Sequence, residues 1–116
     1  MYDENNIFAK ILRKEIPCDK VHEDKFSLFF NDINPQAKIH VLGIPKFPCT
    51  TFSNFLKNAD NKNIISFFKS VQLVIKDLEI ENSGYRLITN SGENGGQEVP
   101  HFHIHILAGE KIGSLR

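Results

Sequence analysis

Apolar residues recur along this chain at two different spacings. Between Asp3 and Lys14, Ile7, Phe8, Ile11 and Leu12 lie three and four apart, which predicts a short N-terminal helix ended by Pro17. From Asp60 to Ile80, Ile64, Phe68, Val71, Ile75 and Leu78 repeat the same spacing and predict a long helix, with Asp60 as its N-cap and the run ENSG as its stop. The remaining apolar runs are short and read as strands: KVHED, FSLFFND, KIHVLGIP, YRLITN and HFHIHILA. Turn formers separate them, among them NDINPQA before the third and SGENGGQEVP before the last. The order is helix, strand meander, long helix, two strands. That predicts an α+β fold with a mainly antiparallel sheet of about five strands. No repeat or linker divides the chain, so residues 1–116 are expected to form one domain.

The last strand concentrates the chemistry. In VPHFHIHILAG, from Val99 to Gly109, His101, His103 and His105 alternate with Phe102, Ile104 and Ile106. On a strand, alternate side chains face opposite sides, so the histidines are expected to share one face and the apolar residues the other. Three imidazoles in a row can be a solvent-facing strand, a metal site or a catalytic group. The metal reading is limited by reach. Residues four apart on a strand are separated by roughly 13 Å, whereas Zn–N bonds are about 2.1 Å, so the outer pair cannot readily share an ion. No metal or other cofactor is therefore expected. Imidazole suits catalysis on phosphate: with one nitrogen anchored, the other is a nucleophile near neutral pH.

Composition narrows the substrate. Fourteen basic and fourteen acidic residues cancel, which argues against a nucleic-acid polymer or a membrane surface as partner. A phosphate site would have to be local. Cys18 and Cys49 lie far apart and outside any CxxC pair, and the N-terminus lacks an apolar core, so a reduced, cytoplasmic protein is expected.

HFHIHILAG resembles the His-x-His-x-His signature of the histidine triad superfamily. IFAKILRKEIP, FNDINPQAKIHVLGIPK and GYRLITNSGENGGQEVPHFHIHILAG are similar, in order and spacing, to its Hint branch of purine nucleotide-binding phosphoramidases. The resemblance implies a histidine triad fold, a homodimer and hydrolysis of purine nucleoside phosphoramidates. It implies His103 as the nucleophile, its second nitrogen held by a backbone carbonyl. His105 would contact the α-phosphate and help the leaving group depart, with His101 and His40 in support. His22 has no such counterpart and reads as a surface residue.

The same resemblance gives Asp32 the ribose hydroxyls, although Asp32 also suits a turn of its own. Phe8, Ile11, Phe30 and Ile33 would form the slot for the base; Phe8 and Ile11 serve equally as helix–sheet core. Gly95 and Gly96 read as a loop whose amides cradle phosphate, with Asn90 and Gln97 beside it. Glu98 and Val99 follow, where eukaryotic members carry Ser-Val. An ionised carboxylate cannot donate as that serine does, and its charge would disfavour anionic leaving groups. Pro48 replaces a frequent histidine, and the tail GEKIGSLR lacks tryptophan, as does the whole chain. A dinucleoside polyphosphate hydrolase and a nucleotide-binding regulatory module are the alternative readings.

Overall fold

A computed structural model describes residues 1–115; Arg116, the last residue of the tail, lies outside the described residues. The elements are α1 (Ile7–Leu12), β1 (Lys20–Glu23), β2 (Ser27–Asn31), β3 (Ile39–Pro45), α2 (Phe52–Asn58), α3 (Asn61–Asp77), β4 (Tyr85–Ile88) and β5 (Ile104–Ala108). All neighbouring strands are antiparallel, in the order β1-β2-β3-β5-β4. This is the α+β arrangement expected from the hydrophobic pattern.

Both expected helices form, and each is shorter than its pattern. Asn6 is extended and accepts the Ala9 amide, so α1 begins only at Ile7. Lys14 takes a left-handed backbone (φ 65°), which stops the helix before Pro17 is reached. In α3, Asp60 caps the N-terminus through the Asn63 amide. The helix ends at Asp77 rather than Ile80, because Glu79 is left-handed (φ 59°). The pattern missed α2 altogether. Its signals are Thr51, which accepts the Asn54 amide, and the trio Phe52, Phe55, Leu56 at helical spacing.

The sheet has two unlike faces. On one, Phe29, Val41, Ile104, Ile106 and Ala108 pack under α2 and α3 with Phe55, Phe67, Val71, Val74 and Phe102. Here Phe67 stacks on Phe29 (6.1 Å between ring centres) and meets Phe55 and Phe102 edge-on at 5.7 Å. Gly43 pairs with Phe29 across the strands, and a Cβ there would stand 2.3 Å from the Phe29 ring. On the other face, α1 lays Phe8 and Ile11 over Leu28, Phe30, Leu42 and Ile44. Six residues of helix cannot span the whole face, and the part left open is the site.

The last strand is shorter than its sequence run. β5 starts at Ile104, so His101, Phe102 and His103 precede it. The register would set Phe102 opposite Pro45, which has no N–H to donate. The Pro45 carbonyl instead accepts from the His101 ring (2.8 Å), and the Phe102 amide turns to the Cys49 carbonyl (3.0 Å). The expected alternation survives in part: Phe102 joins Ile104 and Ile106 in the core, while the histidines turn away from it. His22 also differs from expectation. It is half-buried, 2.8 Å from Asp24, with its ring against Phe29.

Candidate active site

The open part of the α1 face is a cavity of about 880 Å³. β3 and β5 supply its floor, because Leu42 pairs with His105 and His40 with Leu107. His40, His103, His105, Asp32, Phe8, Ile11, Phe30, Ile33, Asn90, Gly96, Glu98 and Val99 all line it. Three expected residues do not: Gly95, His101 and Gln97. His101 lies beneath, fully buried. Gln97 uses its amide as a brace: it donates to the Thr50 and Val99 carbonyls (2.6 and 3.0 Å) and accepts the Gly92 amide (2.9 Å).

The glycine loop is also built differently from a simple amide cradle. The Gly96 amide donates to Glu93 O and that of Gln97 to Gly92 O, so both are used within the loop. Gly96 is needed for its left-handed backbone (φ 74°), and Gly95 because a Cβ would strike the Ser91 carbonyl at 2.5 Å. Asn90 ties the loop shut by donating to Gly95 O at 2.7 Å. Phe8 and Ile11 are core and cavity wall at once, while Ile33 stands 90% exposed at the rim.

The hydrogen bonds settle which nitrogen of each imidazole carries the proton. A carbonyl can only accept, so Nδ1 of His103, 2.7 Å from His101 O, carries its hydrogen. That leaves a lone pair on Nε2, on the side of the cavity. Nε2 of His101 likewise donates to Pro45 O, and its Nδ1 receives the Tyr2 hydroxyl at 2.6 Å. The Gln36 amide donates to Nδ1 of His40 at 2.9 Å, so the hydrogen of His40 is on Nε2. From there it is shared between His105 Nδ1 at 2.9 Å and Asp32 at 3.3 Å. His105 must then carry its hydrogen on Nε2, as a donor. One histidine offers a lone pair and its neighbour a proton, with their rings 5.0 Å apart and edge-on.

Burial keeps these rings neutral. It pushes His101 and His105 down to about 4, and lowers His103 and His40 as well. The Asp32 carboxylate opposes this at His40, His103 and His105, and Glu98 opposes it at His103, which puts Glu98 within electrostatic range of the site. Phe8 closes the apolar side, its ring edge-on to His103 at 4.9 Å.

Asp32, His40 and His105 also bring three donor atoms within 4.8 Å of one another, a cluster that spacing within the triad could not reveal. The tautomers do not suit a cation there. The one lone pair of His40 already accepts the Gln36 amide, and the nitrogen facing Asp32 and His105 carries a hydrogen.

Residues 13–112 match the model of the HIT domain. The chain belongs to the HIT family. It is 40% identical over 113 residues to the purine nucleoside phosphoramidase of Escherichia coli, covering 97% of this chain and 93% of that protein. A HIT-like protein of Azospirillum brasilense is 46% identical over 114 residues, with 98% and 93% covered. Among solved HIT structures, the histidine triad protein of Clostridium difficile superposes with a TM-score of 0.87 at 38% identity, each chain covered in full. The HIT family hydrolase of Legionella pneumophila gives 0.86 at 37% identity, with 94% of this chain and 96% of that one covered.

Proposed function

We propose that this HIT protein hydrolyses purine nucleoside 5′-monophosphoramidates, or related adenylated compounds, through a nucleotidyl-histidine. The observation that carries the reading is the lone pair on His103 Nε2, fixed by the carbonyl that holds Nδ1–H and turned toward a cavity of nucleotide size. In the first displacement Nε2 attacks the α-phosphorus. The P–N bond breaks, its electron pair leaves on the amine, and the amine takes a proton from solvent, which the attacking water returns in the second displacement. His105 Nε2–H steadies the phosphate and leaving group through that step. Water then attacks the phosphorus, the bond to Nε2 breaks, and nucleoside monophosphate is released with the imidazole restored. Nothing in this sequence calls for a metal.

Asp32 has room for a ribose. One carboxylate oxygen accepts the Asn34 amide at 2.8 Å and the other faces His40, and each oxygen has a second lone pair for a hydroxyl. The base enters between Phe8, Ile11, Phe30 and Ile33. Glu98 on the cavity wall favours a neutral amine as leaving group over an anionic nucleotide, which ranks the dinucleoside polyphosphate reading second. The protein would act in the cytoplasm as a homodimer. The dimer is supported by the open edge of β4, where Tyr85 and Leu87 stand 42% and 44% exposed.

Steady-state turnover of an adenosine phosphoramidate and a diadenosine polyphosphate, each with and without a chelator, tests the proposal. The expected result is faster hydrolysis of the phosphoramidate, unchanged by chelation. Preference for the polyphosphate would install the second reading, and binding without turnover of either would leave a nucleotide-binding module.

A further inference from the structure

Tyr2 lies outside the cavity, ninety-nine residues from His101 in sequence, yet among the described residues its hydroxyl makes the shortest hydrogen bond to a triad ring, 2.6 Å to His101 Nδ1. Its ring meets that imidazole edge-on at 5.5 Å. His101 is fully buried, and its other nitrogen donates to Pro45 O. Nδ1 therefore faces a hydroxyl hydrogen. Because Nδ1 has only a lone pair to offer, the hydroxyl is the donor in this bond. A line of two bonds follows: the Tyr2 hydroxyl to the His101 ring, and Nδ1–H of His103 to the His101 carbonyl.

We propose that Tyr2 is a positioning residue for the triad: by donating to Nδ1 its hydroxyl holds His101 neutral, in the Nε2–H tautomer that the Pro45 carbonyl sets, and so steadies the residue whose carbonyl aims His103. The chemistry is one-directional. To protonate, His101 must place a hydrogen on Nδ1, which points at an oxygen already donating there. The hydroxyl would have to rotate and accept instead, leaving its own hydrogen without this partner. Without the hydroxyl this obstacle is gone, and His101 titrates at higher pH. A cation there would lie beside the nucleophile and draw on its lone pair. The titratable groups around Tyr2 and His101 are His103, Cys49, Glu4 and Arg13. Of these, His103 is the one whose charge acts on His101. Cys49 is held as a neutral thiol by burial, pushed up to about 12.

The kinetic half of the test rests on the phosphoramidase reading; the spectroscopic half does not. Tyr2→Phe keeps the ring and removes one oxygen, and Tyr2→Leu removes both. NMR titration of the His101 ring nitrogens is expected to move to higher pH in both variants. On an adenosine phosphoramidate, kcat is expected to fall about three- to tenfold, the size of one hydrogen bond, with KM unchanged and the acid limb of the pH–rate profile moved up. If the wild type lacks turnover but the titration still shifts, the phosphoramidase reading fails and the Tyr2 assignment stands. If His101 titrates identically in wild type and Tyr2→Phe, or only Tyr2→Leu changes anything, Tyr2 is packing alone and the proposal is overturned.

Discussion

Phe102, Ile104 and Ile106 alternate with His101, His103 and His105 along one stretch of chain, and the two sets are held by different physics. The apolar set is held by shape. Phe102 stacks on Phe55 at 5.2 Å and meets Phe67 edge-on, and neither contact depends on a hydrogen. The histidine set is held by direction. Each ring has one nitrogen with a hydrogen and one with a lone pair, and a backbone group decides which is which in His101, His103 and His40. Three imidazoles can be buried this closely because, among the described residues, no buried side-chain polar atom lacks a partner. The apolar side thus supplies rigidity, and the polar side spends it on keeping one lone pair aimed.

If that division is right, damage to the two sides should register in different measurements. Phe67→Ala should produce the largest stability effect, about 3–5 kcal/mol, because it opens a cavity between Phe29, Phe55 and Phe102. Equilibrium urea unfolding measures it. Activity per folded molecule at low temperature should fall far less than stability does. A loss of turnover with stability intact would mean that the aromatic side shapes the site directly.

A smaller effect comes from the polar side. His101 and His105 titrate near 4 in the folded chain against an ordinary imidazole value of 6.5, with His103 and His40 lowered too. Between those values the unfolded chain binds more protons than the native one. Stability should therefore rise with pH from about 4 to 6.5 and level off above it. Urea midpoints across that range check this. A flat profile would show that the buried histidines are less shielded than their surroundings imply.

The same division explains what was legible in the sequence. Shape leaves periodic traces. Ile64, Phe68, Val71, Ile75 and Leu78 located α3, and the strand runs located the sheet. Even there, two left-handed residues, Lys14 and Glu79, ended helices that hydrophobic spacing alone would have continued. α2 was missed because its apolar trio spans barely one turn. Directed hydrogen bonds leave almost no local trace. The sequence placed three histidines together, and the resemblance added His40 and Asp32. That His40 Nε2 faces both Asp32 and His105 depends on β3 pairing with β5 and on the turn before it. Tyr2 joins His101 across nearly the whole chain, and Gln97 reads as a phosphate ligand until its amide is seen bracing the loop. The unpaired lone pair on His103 follows from a carbonyl only two residues away, but only because the chain leaves the strand there.

The central claim is that His103 Nε2 is the atom that takes the nucleotide. It is tested most directly by quenching the protein during turnover of an adenosine phosphoramidate and mapping the adenylyl group by peptide mass spectrometry. The account predicts an acid-labile adenylyl group on His103, absent in His103→Ala, a variant that should still bind nucleotide. An adduct on His101 or His105, or undiminished turnover by His103→Ala, would contradict it.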